Sequence, residues 1–568
     1  MTSRKALIDV LRAAGASDED AAQLAAIQPP SGGSWTAEVL NTGKVDEARF
    51  TAELAGLFKT PFDHIEATKV ERSVLQLLPS RFVFKHQILP IAATDSTVKL
   101  ATYDVFNQVS RRLAQQQLSG RKIEWVIVPR GQLLRTIKAL YGVGAETFEE
   151  ILQSTRTYDE NRDETTDITG DDPEASVVKF VNQVIREAIY ERATDIHVEP
   201  LENDLRIRYR IDGILHEVAV PPQLRVLQSA IISRLKVMAH MDIAERRLPQ
   251  DGRINLQTQA GAIDVRVSTI PTVNGESISL RLLSRSDTLA FGIDRLDMGE
   301  KQVRIVKGLL QQPNGIILVT GPTGSGKSTS LYSFLTSINA VTRRIITIEE
   351  PVEYRLPGVS QIDVKTEIGL TFASGLRAIL RQDPNIVMVG EIRDFETAEI
   401  SIRAAMTGHL VFSTLHTNDA VSGITRLLDM GIEPFLLATV VRCFLAQRLV
   451  RTICPDCKME AGYPVDYLLE IGAPFPADMK FYKGRGCDHC RQTGYRGRAA
   501  IYEICVVNEN LRRMVIRKET GTAMKARAIT DGMETLRTDG WRRVLNGQTT
   551  VEEVVRVTQQ DEALAETD

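Results

Sequence analysis

Residues Gly315 to Ile338 read GIILVTGPTGSGKSTSLYSFLTSI: an apolar run, a glycine-rich turn and a helix-forming segment, in that order. The turn matches G-x-x-x-x-G-K-[ST], with Gly321, Gly326, Lys327 and Ser328 at the fixed places. Glycines there let backbone N–H groups wrap a phosphate chain. The lysine reaches the β and γ oxygens, and the serine hydroxyl serves Mg²⁺. The strand before the turn and the helix after it are the context this motif requires. Gly321, Pro322, Thr323, Gly324, Ser325, Gly326, Lys327, Ser328 and Thr329 are therefore read as a phosphate cradle.

Working outward, RIITIEE, NIVMVGEI and HLVFSTLH are further short apolar runs separated by helical segments. Alternation of this kind predicts a parallel sheet covered on both faces. Ligands of such sheets bind at the carboxyl ends of the strands. Those ends carry Glu349, Glu350 and Glu353 in EEPVEY, Glu391 in VGEIRD and His416 in STLHTND, all expected beside the phosphate cradle. One feature of NIVMVGEIRD needs an explanation. Many nucleotide hydrolases place a metal-side aspartate at the end of this strand, whereas this chain has Gly390, and its first carboxylate is Glu391.

The whole chain of 568 residues is too long for one core. A formal charge of −4 offers no global basic field, and there is no basic, aromatic-rich stripe, so nucleic-acid binding is not expected. No run is apolar enough to span a bilayer, and MTSRKALIDVLRAAGASDED reads as a helix and not a signal peptide. The expectation is a cytoplasmic protein that meets the membrane through partners. Residues 1–145 mix helical periods (DEARFTAELAGLF) with short strands (TVKLATYD, IEWVIVP), a small α/β domain. Residues 146–175, with YDENRDETTDITGDDPE, are acidic and poor in apolar residues, and read as a flexible linker. Residues 176–289 form an α+β domain: DLRIRYRIDG, GAIDVRVSTI and ESISLRLLS alternate as half-buried strands do, with a helix in QLRVLQSAIISRLKVMAHM. The P-loop domain takes 290–450, a cysteine-bearing insertion 451–498, and a helical region 499–568. Cys454, Cys457, Cys487 and Cys490 form two C-x₂-C pairs that predict a closed, structural Zn²⁺ site. Cys443 and Cys505 sit in apolar settings and read as ordinary buried residues.

Residues 175 to 558 resemble the secretion ATPase superfamily, and specifically the type II secretion and type IV pilus assembly ATPases. The resemblance rests on ATDIHVEP, RYRIDGIL, DIAERRLPQDGRI, TGPTGSGKST, TIEEPVEY, LRAILRQDPNIVMVGEIRD, TGHLVFSTLHTNDA and AQRLVR. It implies a RecA-like P-loop core preceded by a PAS-like α+β domain and a small amino-terminal (N1, MshEN-like) docking domain. ATP and Mg²⁺ would be the site ligands and a homo-hexamer the working form. That hexamer would drive an inner-membrane platform protein so that pilin-like subunits join a fibre. In that family the equivalent strand carries the same glycine, and its glutamate, here Glu391, serves the metal through water. The acidic box usually reads Glu-Asp-Pro but here reads Glu349-Glu350-Pro351. On that ground Glu353 is favoured over Glu350 as the group that positions the attacking water. His416 matches the family's γ-phosphate-sensing histidine. Arg266 and Arg281 match its phosphate-facing arginines, with Arg210, Arg234, Arg246 and Arg253 as further candidates. Arg377, Arg381 and Arg393 are expected to brace subunit and domain contacts. Type II secretion is preferred to pilus extension on the cysteine spacing and the DIAERRLPQDGRI wording. A retraction ATPase fits less well, because such relatives generally lack the four-cysteine insertion. A non-hydrolysing nucleotide-sensing scaffold would need a broken P-loop. Some N1 domains bind cyclic di-GMP through R-L-G-x-x-L, but RKALIDVLRAAG and SWTAEVLNTG lack the Arg-Leu-Gly start, which counts against that ligand.

Overall fold

The computed structural model describes residues 4–29, 34–94, 96–142, 145, 173–221, 224–258, 261–284, 291–473 and 479–558. The linker expected at 146–175 lies outside the described residues as far as 172, and the helix Pro173–Tyr190 takes in its last three positions. The chain divides into two compact units, Met1–Leu256 with Asp264–Leu282, and Gln257–Ile263 with Leu283–Asp568.

The first unit opens with short helices. Glu47–Leu57 is typical: the Asp46 carboxylate caps the Arg49 N–H, and Phe50 and Leu54, one turn apart, enter a core with Leu11 and Val39. A three-stranded sheet of Leu89–Ala93, Thr97–Thr102 and Lys122–Ile127 follows, its first pair antiparallel and its second parallel. Further along lies a six-stranded sheet. In its strand Leu205–Ile211 the residues Leu205, Ile207 and Tyr209 are buried while Arg206, Arg208 and Arg210 face outward, the two-residue period that LRIRYRI spells. Phe180 and Val184 of Pro173–Tyr190, and Ile231 and Leu235 of Gln228–Met238, pack against Ile196 and Ile207 of that sheet.

The second unit is built on seven strands: β1 (Gly315–Thr320), β2 (Ile345–Glu349), β3 (Ser360–Asp363), β4 (Ile386–Val389), β5 (Leu410–Leu415), β6 (Val441–Ile453) and β7 (Tyr495–Val506). Their order across the sheet is β3-β2-β4-β5-β1-β6-β7. All neighbours are parallel except the last pair. Both faces are covered, as the continuous apolar runs require. Ile316 and Leu318 enter one core, and Ile317 and Val319 the other.

Three of these strands, β3, β6 and β7, are absent from the runs picked out by sequence. In β6 the apolar pattern is interrupted by Gln447 and Arg448, both buried. Strand β7 crosses position 499, so the region read as helical opens on a strand, and its helices begin at Glu509. Among the described residues no helix is long and apolar enough to cross a membrane.

Candidate functional site

The phosphate loop joins β1 to helix α1 (Lys327–Ile338). Two of its glycines are required by their positive φ, and Gly321 also by crowding against backbone. Gly321 has φ +147°, and a Cβ there would sit 2.6 Å from the Gln447 carbonyl; Gly326 has φ +88°, and a Cβ would meet Gln447 Nε2 at 2.8 Å. The loop curls over Lys327, whose Nζ donates to the carbonyls of Gly321 (2.8 Å) and Pro322 (3.1 Å). Those bonds use two of its three N–H groups. Burial pushes the Lys327 amine down to about 8, with the Glu391 carboxylate opposing the fall and Arg448 adding to it. Ser325 Oγ is buried among the loop atoms without a hydrogen-bond partner. A cationic amine and an orphaned hydroxyl within a glycine-rich turn at a helix N-terminus fit a phosphate chain.

Gly390 is explained by its surroundings. A Cβ there would lie 3.3 Å from both Glu349 Cα and the Ile348 carbonyl, while its own N–H donates to that carbonyl at 2.7 Å. Thr414 Oγ1 holds the Gly390 carbonyl at 2.7 Å. Strands β2, β4 and β5 thus close on the position, which leaves little room for an aspartate, and the carboxylate appears one residue later. Glu391 is flanked by His416 Nε2 at 3.4 Å and by the Arg393 guanidinium. Arg393 also reaches Glu350, at 3.3 Å, so one arginine bridges the ends of β2 and β4. The His416 imidazole is held below its ordinary range, first by burial and then by Lys327, with Glu391 pulling the other way.

The three glutamates of EEPVEY separate. Glu349 is sealed in the interior: its Oε1 accepts from Thr347 (2.7 Å) and Gln361 (3.0 Å), and its Oε2 from the Tyr332 hydroxyl. Burial raises its carboxyl, which these bonds oppose. Glu350 is exposed and engaged with Arg393. Glu353 is tied to α1 by its main-chain N–H, which donates to the Tyr332 hydroxyl at 3.2 Å, and its Oε2 is withdrawn from solvent. The expectation that all three meet the cradle thus fails for Glu349, which a neighbouring tyrosine, threonine and glutamine consume.

Residues not singled out from sequence also belong here. Gln447 backs the loop, and its Oε1 accepts from Ser330 at 2.8 Å. Arg448 donates to the Asn418 carbonyl at 2.7 Å. The signal for both was polar residues inside a buried strand. In the first unit, Arg281 and Arg210 flank Asp195 from the two adjoining strands, at 3.0 and 3.5 Å. Arg377 pairs with Glu396, and Arg381 donates to the Arg377 carbonyl at 3.0 Å.

The four cysteines gather from the end of β6 and the approach to β7. Their Sγ atoms all lie within 4.8 Å of one another, with Cys454–Cys487 and Cys457–Cys490 at 3.8 Å and Cys487–Cys490 at 3.7 Å. These separations are far too long for disulfides. A tetrahedron with Zn–S bonds of about 2.3 Å has edges of roughly 3.8 Å, so the set fits one ion with no open position. Backbone N–H groups of Cys487 and Gly494 point at Cys490 Sγ, each at 3.2 Å, as a thiolate would favour. Cys443 and Cys505 are buried apart from this group.

The model of the type II/IV secretion system protein family matches residues 171–556, and that of the MshEN domain matches residues 58–147. The chain is 42% identical to the type IV pilus assembly ATPase PilB of Myxococcus xanthus, over 92% of this chain and 93% of that protein. It is 50% identical to type II secretion system protein E of Aeromonas hydrophila, over 70% and 78%. With the protein of the same name from Xanthomonas campestris pv. campestris the identity is 40%, over 95% and 96%. The crystal structure of the Yersinia pseudotuberculosis ATPase DotB covers 67% of this chain and 93% of its own, with a TM-score of 0.50 and 18% identity, a likeness of fold alone. With its family model spanning well over half its length and full-length relatives at 40% identity or more, the chain belongs to the type II/IV secretion system protein family.

Proposed function

We propose that this chain is the motor ATPase of a type II protein secretion system. It works as a cytoplasmic homo-hexamer at the inner membrane and drives a platform protein that adds pilin-like subunits to a fibre. The observation that carries the reading is the intact phosphate loop with Glu391, His416 and Arg393 gathered at the neighbouring strand ends.

Phosphoryl transfer asks mainly for positioning and charge stabilisation. Lys327 holds the β and γ oxygens of ATP, aided by loop N–H groups. Ser328 and Glu391 would hold Mg²⁺, which supplies neutralising charge on the phosphates. Glu353 positions the attacking water. Its main chain is anchored to α1, whereas Glu350 is already occupied by Arg393 and serves in support. His416, lying beside Glu391, reads the γ-phosphate. Arg266 and Arg281 are the arginines proposed to meet the phosphates, within a chain or between chains. Cys454, Cys457, Cys487 and Cys490 would hold one structural Zn²⁺ that cross-links the 451–498 insertion. The amino-terminal region serves as the docking domain, and cyclic di-GMP has no part in this reading.

The test is Mg²⁺-dependent ATP hydrolysis by the purified protein, followed by complementation of a secretion-ATPase deletion. Hydrolysis without restored export, in a strain whose pilus extension is restored instead, would move the protein to pilus assembly. That second reading has its own support in the PilB relative, which spans the amino-terminal region as well as the core.

A further inference from the structure

Behind the phosphate loop lie two buried carboxylates, Asp419 and Glu503, and a half-buried lysine, Lys525, that the reaction outlined above does not use. The segment Thr417–Ala420 follows His416 directly and belongs to no strand or helix. Its shape is held from four elements. Thr320 Oγ1, at the end of β1, donates to the Asp419 carbonyl at 3.4 Å, and Arg448 on β6 donates to the Asn418 carbonyl at 2.7 Å. Glu503 on β7 is 1% exposed and accepts the Ala420 N–H at 2.9 Å. Its other oxygen accepts the Leu536 N–H at 3.3 Å, at the start of the helix Leu536–Leu545. Lys525, in the helix Gly521–Thr530, donates to the Asp419 carboxylate at 2.9 Å.

Buried carboxylates cost desolvation and are poor evidence for stability; the best-attested use of such groups is to select one geometry. The geometry selected here is that of the backbone carrying His416, whose imidazole lies against Glu391. Two carboxylates and one lysine thus link two C-terminal helices to a single irregular loop.

We propose that Lys525 and Glu503 are positioning residues for hydrolysis: acting on Asp419 and Ala420, they hold the loop after His416 and couple the two C-terminal helices to the γ-phosphate side of the site. The inference rests on the ATPase reading. Neither residue touches the phosphate-binding atoms of Lys327, so their loss falls on kcat and leaves KM in place.

The test is steady-state hydrolysis by the full-length chain with Lys525→Met, Lys525→Arg, Thr417→Val, His416→Ala and the double variant His416→Ala/Lys525→Met. Lys525→Met is expected to lower kcat about tenfold with KM within about twofold, and Lys525→Arg to restore most of it. Because Lys525 acts through His416, the double variant should lose no more than His416→Ala alone, a non-additivity that general destabilisation does not produce. Thr417→Val removes a milder restraint, the 2.9 Å bond from Thr417 Oγ1 to the Asp419 carbonyl, and should show the same split if Lys525→Met does not purify folded. Multiplicative losses in the double variant, an effect confined to KM, or unchanged kcat in both Lys525→Met and Thr417→Val overturn the proposal. If the unmodified protein does not turn over ATP, the ATPase reading itself fails and this inference falls with it.

Discussion

The nucleotide site and the cysteine cluster are assembled in opposite ways. Cys454 and Cys487 come from the two ends of one short insertion, and their sulfurs stand 3.8 Å apart with little else required than that the insertion fold back. The proposed nucleotide site instead takes Lys327 from the start of α1, Glu350 from just beyond β2, Glu391 from just beyond β4 and His416 from the end of β5, and a further strand, β6, backs it with Gln447. With the proposed Zn²⁺ bound, the first would be closed by its own ligand, since metal affinity and local folding are then one free energy. The second exists because a sheet buried on both faces brings strand ends together whether or not a nucleotide is bound. A site supported by a core should therefore lose function residue by residue, whereas a site supported by its ion should lose structure all at once and leave the core working.

That contrast is broken most directly by Lys327→Ala, which removes the amine that the phosphate cradle curls over and should abolish measurable ATP hydrolysis while the fold survives by circular dichroism. Residual turnover above about one per cent of the parent would mean that the cradle is not the phosphate site. Glu391→Gln and Glu353→Gln should each lower kcat by about three powers of ten with nucleotide affinity nearly level, because neither changes volume or touches the loop. Near-normal turnover in Glu391→Gln would remove Glu391 from the metal side of the proposed site.

A finer division separates Glu350 from Glu353. Glu350→Gln weakens one contact to Arg393 and should cost about tenfold, consistent with a supporting hydrogen bond worth on the order of 1–2 kcal/mol. Glu350→Asp should be tolerated. Single-turnover hydrolysis decides between them, and a dead Glu350→Gln with an active Glu353→Gln would exchange the two roles.

On the other side of the comparison, Cys487→Ser should release one equivalent of Zn²⁺ and strip the region around 454–494 of hydrogen-exchange protection. ATP hydrolysis in the same sample should fall by no more than about twofold. A collapse of hydrolysis together with zinc loss would show that the insertion supports the sheet, erasing the distinction.

The smallest effect expected is on the pH dependence of stability. The folded protein holds Lys327 down to about 8, against 10.5 for the ordinary side chain. Below pH 8 both folded and unfolded chains carry the proton, and the folded state bears the full cost of the buried charge. Between 8 and 10.5 the unfolded chain binds more protons, so stability rises with pH. Lys327→Met lacks that cost. Its advantage in denaturation midpoint over the parent should shrink across this window, and a constant difference would show that the lysine is not desolvated.

Much of this protein was legible in its sequence because the relevant interactions are local. The phosphate loop closes within a few residues, from Gly321 to Lys327, and its glycines, lysine and serine declare themselves by spacing. The paired cysteines do the same, and the runs β1, β2, β4 and β5 show their burial by being apolar throughout. What the sequence could not settle is which polar groups end up facing one another across long separations. Glu349, Glu350 and Glu353 look alike in EEPVEY, yet one is consumed by Tyr332, one is bridged by Arg393 to Glu391, and one is moored to α1. Gln447 reaches Ser330 across 117 residues and Lys525 reaches Asp419 across 106. Spacing along a chain constrains only groups that the backbone keeps close. The partners of a buried carboxylate are chosen by sheet order and strand register, and those are decided by the packing of the whole core.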